Sequence, residues 1–441
     1  MKPRSPNPCP THREIASLVD RRAFLVAGAM GFRGLDAARL SAAETTRGKA
    51  KTTILIWLSG GASHIDTWDM KPNSKDEMVR GEFRPIATSV PGTQISELMP
   101  HLARQADNYA LIRSVCHTLA AHAPGQQYMR SGNRPNPSLE YPNHGSVISK
   151  EHAAPVGIPP YVSLPVRRTN GGVETPGYLG VAYSSFAVSG DPNAANFSVR
   201  ALTTPGGLTL ERIEKRIAFM EGLDTAFRSV DLKSQQLDGM DKFYQQAYEI
   251  LRSANARHAF DVQSENDKVR DQYGRTPFGQ SCLLARRLVE VGVRCVAIDF
   301  GSWDTHKQNF SSLKDRLLPP FDQGVAGLLE DLKTRGLLEN TVVWCTGEFG
   351  RTPKINNNAG RDHWARAMSM IMAGGGIKGG QVIGATDENA AEPVTHPYSP
   401  DDAAASFLHA LGIDYHQEYD TPTGRPVMIS REGNPIPELF A

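Results

Sequence analysis

The sequence predicts an α/β fold built on a mostly parallel central sheet. Three observations carry that reading. Continuous apolar runs at Thr53–Leu58, Val293–Ile298 and Val342–Cys345 have the length of strands and the composition of strands buried on both faces. The second and third runs each follow a stretch of helical character, Ser281–Val291 and Leu317–Leu338, and such alternation implies right-handed crossovers between parallel strands. Polar residues bunch directly after each run, where open α/β sheets place their ligands.

Taken in order, the first run stops at Gly60-Gly61, a boundary expected of a central strand. Residues 113–134 hold Arg113, His117, His122, Arg130 and Arg134. They read either as an anion-binding segment, since arginine forks suit phosphate or sulfate, or as a surface loop with solvated charges. The stretch 153–206, rich in Pro, Gly, Ser and Asn, reads as chain winding over the surface. Residues 208–262 carry Ile213, Ile217, Met220, Leu223 and Phe227 at helical spacing among dense charges, which predicts an inserted helical layer beside the site. Ala367–Met372 is a fourth strand candidate, though its methionines suit a helix equally. No internal repeat or low-complexity tract interrupts the chain.

The first 43 residues read as an address, the alternative being an ordinary amphipathic first helix. Arg21-Arg22 precede Phe24-Leu25, a short apolar stretch and Leu40-Ser41-Ala42-Ala43, an order resembling a twin-arginine export signal cleaved after Ala43. The twin-arginine machinery is therefore an expected partner, and the periplasm or the exterior an expected location. Such substrates cross the membrane folded, often with a metal already inside. No stretch approaches the ~18 apolar residues of a membrane span.

Composition narrows the class further. The 48 basic and 47 acidic side chains leave a formal charge of +1, unlike a nucleic-acid binder driven by bulk electrostatics. The 40 glycines and 30 prolines point to many loops on an ordered scaffold. Beyond the signal remain Cys116, Cys282, Cys295 and Cys345, too few for a disulfide scaffold and without a C-x-x-C zinc pattern. Cys295 and Cys345 sit in apolar runs and read as small hydrophobes; their spacing leaves one bridge open.

The polar clusters carry the chemistry. Ser59 to Asp69 include His64 and Asp66; Asp299 to His306 include Asp304 and His306; Thr346 to Trp364 include Glu348, Arg351, Arg361, Asp362 and His363. Carboxylates and imidazoles together suit a divalent cation, with Zn, Mn, Mg and Ca not distinguished. The three clusters converge only if their strands are neighbours. Singly, each pair has a structural explanation, Asp66 as a helix cap and His363 as a core histidine.

At these residues the chain resembles the bacterial family called domain of unknown function 1501. The matching phrases are Gly60 to Pro72, Trp303-Asp304-Thr305-His306, Gly347-Glu348-Phe349-Gly350-Arg351-Thr352-Pro353 and Gly360-Arg361-Asp362-His363-Trp364. The resemblance implies the alkaline phosphatase and sulfatase superfamily, an α/β/α sandwich with divalent metal at its strand ends, acting on phosphate or sulfate esters. It implies Asp304, His306, Glu348, Asp362 and His363 as metal ligands. His64 and Asp66 are offered by the first strand, with Asp69 a further displaced candidate. Where the superfamily has Asp-His-Gly, this chain has Glu348-Phe349-Gly350 and loses the imidazole. Where sulfatases carry the formylglycine cysteine, it has His122, in His122-Ala123-Pro124-Gly125-Gln126.

Two functions follow as expectations. One is an exported metal-dependent hydrolase of a phosphate or sulfate ester, the substrate a small molecule or a saccharide. His122 would then act as ligand, general acid or phosphoryl acceptor, with Arg351 and Arg361 neutralising the oxyanion. Ser63, Ser114, Thr118 and Thr346 are the hydroxyls within reach of such a site. The other is a non-catalytic exported relative that binds glycans or a protein, which the missing nucleophile favours.

Overall fold

A computed structural model describes residues 50–164, 175–199 and 248–440, with Gly48, Leu202 and Gln246 besides. The expected export signal, 1–43, lies outside these residues. So does most of the helical insertion expected over 208–262, of which the described end holds a helix at Ala254–Phe260 capped by Ser253.

The strands, in chain order, begin with β1 (Thr52–Leu58) and a separate hairpin of β2 (Pro85–Ala87) and β3 (Gln94–Ser96). β4 (Tyr109–Val115), β5 (Tyr161–Leu164), β6 (Phe186–Ala187), β7 (Cys295–Phe300) and β8 (Thr341–Thr346) follow. A small ribbon of β9 (Gly350–Arg351) and β10 (His363–Trp364) precedes β11 (Met368–Ala373) and β12 (Gln381–Ile383). Eight of them form the central sheet in the order β12-β4-β11-β8-β1-β7-β5-β6. Every neighbouring pair runs parallel except the two that β11 makes with β4 and β8.

Side chains alternate between the faces of a strand, and here both faces are apolar. Ile54, Ile56, Val296, Ile298, Val343 and Cys345 enter one core; Trp57, Ala297, Val342 and Trp344 enter the other. The helices Pro277–Glu290 and Leu318–Thr334 cover the first face through Leu284, Leu288, Leu328 and Leu332. The helices His122–Ser131, His144–Glu151 and Pro400–Ala410 cover the second through Met129, Val147, Ile148, Phe407 and Leu408. The result is an α/β/α sandwich. Thr276 starts the helix Pro277–Glu290 by accepting from the Gly279 amide, and Pro277 occupies a first-turn position where no amide hydrogen is needed.

β11 settles the ambiguity of Ala367–Met372. Met368, Met370 and Met372 share one core while Ile371 and Ala373 share the other, the period of two that only a strand gives. Two segments differ from the sequence reading. Tyr109–Val115, half of which looked like a charged loop, is a buried strand whose Arg113 guanidinium escapes sideways to donate to the Gln94 carbonyl at 2.8 Å. The stretch 153–206 does not merely wind over the surface, because Tyr161–Leu164 is wholly buried beside β7. Cys116, Cys282, Cys295 and Cys345 are buried and outside any disulfide, and Cys295 and Cys345 face opposite cores, so no bridge forms between them. Among the described residues no helix is long and apolar enough to cross a membrane.

Candidate metal centre

β1 lies between β7 and β8, so the three apolar runs are neighbours. Leu58 pairs with Phe300, and Trp57 with Thr346, so all three strands end at one level. β4 also ends at that edge and β11 starts there, because β11 runs antiparallel to both β4 and β8. Five segments are thereby delivered to one place. Gly60 makes the closest approach: its φ of +112° and a hypothetical Cβ only 2.3 Å from the Asp304 nitrogen leave no room for a side chain.

Four side chains meet at this edge. His122 Nε2 lies 3.2 Å from Asp304 Oδ2. His306 Nε2 and His363 Nε2 each lie 3.1 Å from Asp304 Oδ1 and 2.9 Å from each other. Among the described residues, His122, Asp304 and His363 form a group able to hold a metal, their ligand atoms within 4.8 Å of one another. The Asp304 carboxylate is 43% exposed and the His306 ring 40%, so the cluster is open to solvent.

The far nitrogen of each ring is held by an acceptor. His122 Nδ1 donates to Glu348 Oε1 at 2.8 Å, His306 Nδ1 to Asp362 Oδ1 at 2.7 Å and His363 Nδ1 to the Ala120 carbonyl at 2.9 Å. Carbonyl and carboxylate oxygens only accept, so each Nδ1 carries its hydrogen and each Nε2 is directed inward. The 2.9 Å approach of His306 Nε2 to His363 Nε2 beside a carboxylate calls for a proton or a metal cation among the three groups. Bonds of ~2.0–2.2 Å in tetrahedral geometry need donor separations of roughly 3.3 Å, close to those of Asp304 from each ring, while His306 falls outside the group whose ligand atoms all lie within 4.8 Å. The residues therefore fit a divalent ion, and far-side acceptors of this kind orient metal-binding histidines.

Charge follows the same geometry. Hydrogen bonds to Asp304 and then Glu348 push the His122 pKa up to about 9. Burial pushes Asp304 upward, but the hydrogen bonds from His122, His363 and Arg351 outweigh it and hold the carboxyl well below its usual range. The hydrogen bond from His306 likewise lowers Asp362.

The remaining expected residues take other positions. Glu348 and Asp362 stand behind His122 and His306 instead of beside Asp304; Glu348 is fully buried and its Oε1 also accepts from the Gly60 amide at 2.9 Å. Asp66 lies apart from the cluster, both oxygens engaged by Arg361 at 2.8 and 3.0 Å, with Ser63 and Asn309 donating as well. His64 is buried against the Ala390 carbonyl at 2.8 Å, and burial lowers its pKa. Asp69 binds Lys71 at 3.0 Å and Thr386.

Neither expected oxyanion arginine faces open space. Arg351 is fully buried, donating to Asp304 Oδ1 at 2.5 Å and to the carbonyls of Gly60, Gly61, Trp303 and Arg361. Arg361 is spent on Asp66 and on the carbonyls of Met78, Val79, Thr352 and Pro353. Both brace the edge, Arg351 holding Asp304 directly. Arg130 lies 4.4 Å over the Trp57 ring, and Arg134 donates to Thr118 at 3.2 Å. Ser63 is turned to Asp66, Ser114 is buried in β4 and Thr346 donates to the Gly347 carbonyl.

Three supporting residues escaped the sequence reading. Gln126 donates to Glu348 Oε1 at 3.2 Å, Asn356 donates to Asp362 Oδ1 at 3.1 Å, and the buried Phe349 ring lies 4.5 Å from that of His363. Only Gln126 left a signal, standing four residues after His122 and so on the same helix face.

Solved structures similar to the chain include a protein in the alkaline phosphatase superfamily from Vibrio parahaemolyticus, 10% identical with a TM-score of 0.40, over 88% of this chain and 70% of that one. A sulfatase from Pseudoalteromonas sp. matches at 12% identity and TM-score 0.37, over 86% and 70%. The lipoteichoic acid synthase LtaP from Listeria monocytogenes matches at 10% and 0.36, over 87% and 75%. No curated protein matches in sequence. The sequence model of a family described as "Protein of unknown function (DUF1501)" matches residues 50–440, nearly the whole chain and every residue of the cluster, and the protein belongs to that family.

Proposed function

We propose that this protein is an exported metal-dependent hydrolase of phosphate or sulfate esters. One observation carries the reading: three imidazoles and one carboxylate converge at a solvent-open sheet edge, each imidazole pinned from behind. His122, Asp304, His306 and His363 would hold one divalent ion, and the imidazole-rich set favours zinc or another transition ion over magnesium or calcium. When bound, the ion supplies Lewis acidity toward an ester oxygen and lowers the pKa of a water or hydroxyl. The chain's own residues keep the donors in place. Glu348 and Asp362 fix two tautomers, and Arg351 anchors Asp304 through Oδ1. Export through the twin-arginine machinery to the periplasm or beyond belongs to the same proposal, motivated by Arg21-Arg22 and the small residues at 41–43.

The test is metal analysis of the exported protein, with turnover of 4-nitrophenyl phosphate, bis(4-nitrophenyl) phosphate and 4-nitrophenyl sulfate under zinc, manganese, magnesium and calcium. Chelator-reversible turnover, lost in an Asp304→Ala, His306→Ala double variant, is expected. A second reading, a non-catalytic binding relative, draws on the placement of His122 within the cluster and on its hydroxyl content. Among the described residues no serine or threonine side chain is seen donating to Asp304, His306 or His363. Bound metal with no turnover on any ester selects that reading.

A further inference from the structure

A pocket of about 460 Å³ opens along the helix His122–Ser131. His122, Gln126 and Arg130 are spaced by four and share one helix face. The first belongs to the metal cluster, and the other two line the pocket with Asn133, Asn136, Tyr141 and Thr175. At 1.5 Å per residue, Gln126 stands about 6 Å and Arg130 about 12 Å along the axis from His122. None of the four cluster residues lines the pocket, so what connects the two is Gln126, whose amide reaches the Glu348 oxygen that holds His122.

Gln126 joins the two sites. It is 2% exposed, and its Nε2 donates to Glu348 Oε1 at 3.2 Å. A carboxylate oxygen accepts only, which settles the orientation of the amide. Gln126 Oε1 is buried and receives no hydrogen bond from any protein group, a costly condition unless something else donates to it. The rest of the wall offers a guanidinium, amides, a phenol and hydroxyls, beside the apolar surface of Pro135, Pro137 and Leu139. Nor is it an anion trap: Arg130 is tied to the Trp57 ring and lies 3.7 Å from Asp299, and Glu140 lines the same pocket. Mixed donors and acceptors without surplus charge suit a neutral polyhydroxylated group.

We propose that this pocket is the subsite for the alcohol half of the ester, and that this half is a saccharide with one hydroxyl donating to Gln126 Oε1. The link to turnover rests on the hydrolase reading; the binding does not. Ligand-observed saturation-transfer NMR on the zinc-loaded protein, with the methyl glycosides of glucose, galactose, mannose and N-acetylglucosamine at millimolar concentration, tests it. At least one glycoside receives saturation. Filling the pocket from the exposed Gln127, by Gln127→Trp, weakens its binding about tenfold or more. Asn136→Trp, from the opposite loop, does the same, and zinc content reports whether each variant is folded. Absence of binding by all four glycosides, or unchanged binding in both folded variants, overturns the subsite. Glycoside binding without ester turnover removes the hydrolase reading and leaves the subsite standing; turnover of nitrophenyl esters without glycoside binding does the reverse.

Discussion

Replacing Glu348 by glutamine separates a residue that orients a ligand from one that is a ligand. Glu348 Oε1 collects three donors: His122 Nδ1 at 2.8 Å, the Gly60 amide at 2.9 Å and Gln126 Nε2 at 3.2 Å. A glutamine carbonyl placed there keeps all three hydrogen bonds and loses the charge, with its amide nitrogen taking the Oε2 position, where no protein group bonds to it. Hydrogen bonds to charged groups contribute about 1.5–3 kcal/mol against about 0.5–1.5 for neutral ones. The difference, roughly 1–1.5 kcal/mol, weakens zinc binding about tenfold. Glu348→Ala also frees the His122 ring, and its loss should reach the upper end of the roughly 10–100-fold range for partners behind a metal ligand. Competition of each protein against a chromogenic zinc chelator at fixed neutral pH measures both. A Glu348→Gln loss as large as that of Asp304→Ala would make Glu348 a direct ligand, which its free Oε2 permits. Affinity within about threefold of wild type in both variants, against the expected tenfold or more, would detach His122 from the metal altogether.

Four further outcomes follow from the same geometry. With a pKa raised from 6.5 to about 9, His122 is protonated at neutral pH in the metal-free protein, so loading the ion there releases about one proton, falling to about half of one near pH 9 and vanishing well above it; calorimetry in buffers of different ionisation enthalpy counts it. By linkage, the stability that this raised pKa lends the metal-free fold is complete below pH 6.5 and disappears as pH rises through about 9, whereas the loaded protein shows no such loss; urea melts across that window compare the two. Gly60→Ala forces a Cβ against the Asp304 backbone at positive φ and costs more than about 1 kcal/mol, with metal content falling alongside Tm. Asp66→Asn strands the buried Arg361 guanidinium and costs about 3–5 kcal/mol in denaturant unfolding; a variant of unchanged stability that loses its metal would return Asp66 to the ligand set.

The sheet was legible because its central strands are buried on both faces, so Thr53–Leu58 and Val342–Cys345 appear as unbroken apolar runs. β4 was not, because Arg113 interrupts its apolar run and reads as a loop charge until the Gln94 carbonyl is seen beside it. At the site, residue types and strand ends were legible, but the partition of roles was not. Asp66 and Asp304 are both acidic residues that follow an apolar run. What separates them is a guanidinium 295 positions away for one and three imidazoles for the other, and pairings across such distances leave no periodic trace. Adjacent Asp362 and His363 diverge for a local reason: on the chain entering β10, His363 turns to Asp304 while Asp362 turns to the far side of His306.

Charge balance ties these roles together. Asp304, Glu348 and Asp362 are carboxylates at the edge, and among the described residues Arg351 is the one cation that touches them besides the imidazoles. Asp66 and Arg361 cancel each other and leave the sum unchanged. With neutral imidazoles the edge therefore carries a surplus of two negative charges, one of them on a fully buried Glu348, and burying unpaired charge is costly. A proton on His122 removes half of that surplus, which is the physical content of its raised pKa. A divalent ion removes all of it while releasing that proton. The arginine that braces Asp304 is thus matched to an edge needing two positive charges, and a second free arginine there would weaken the ion's hold by competing for the same carboxylate.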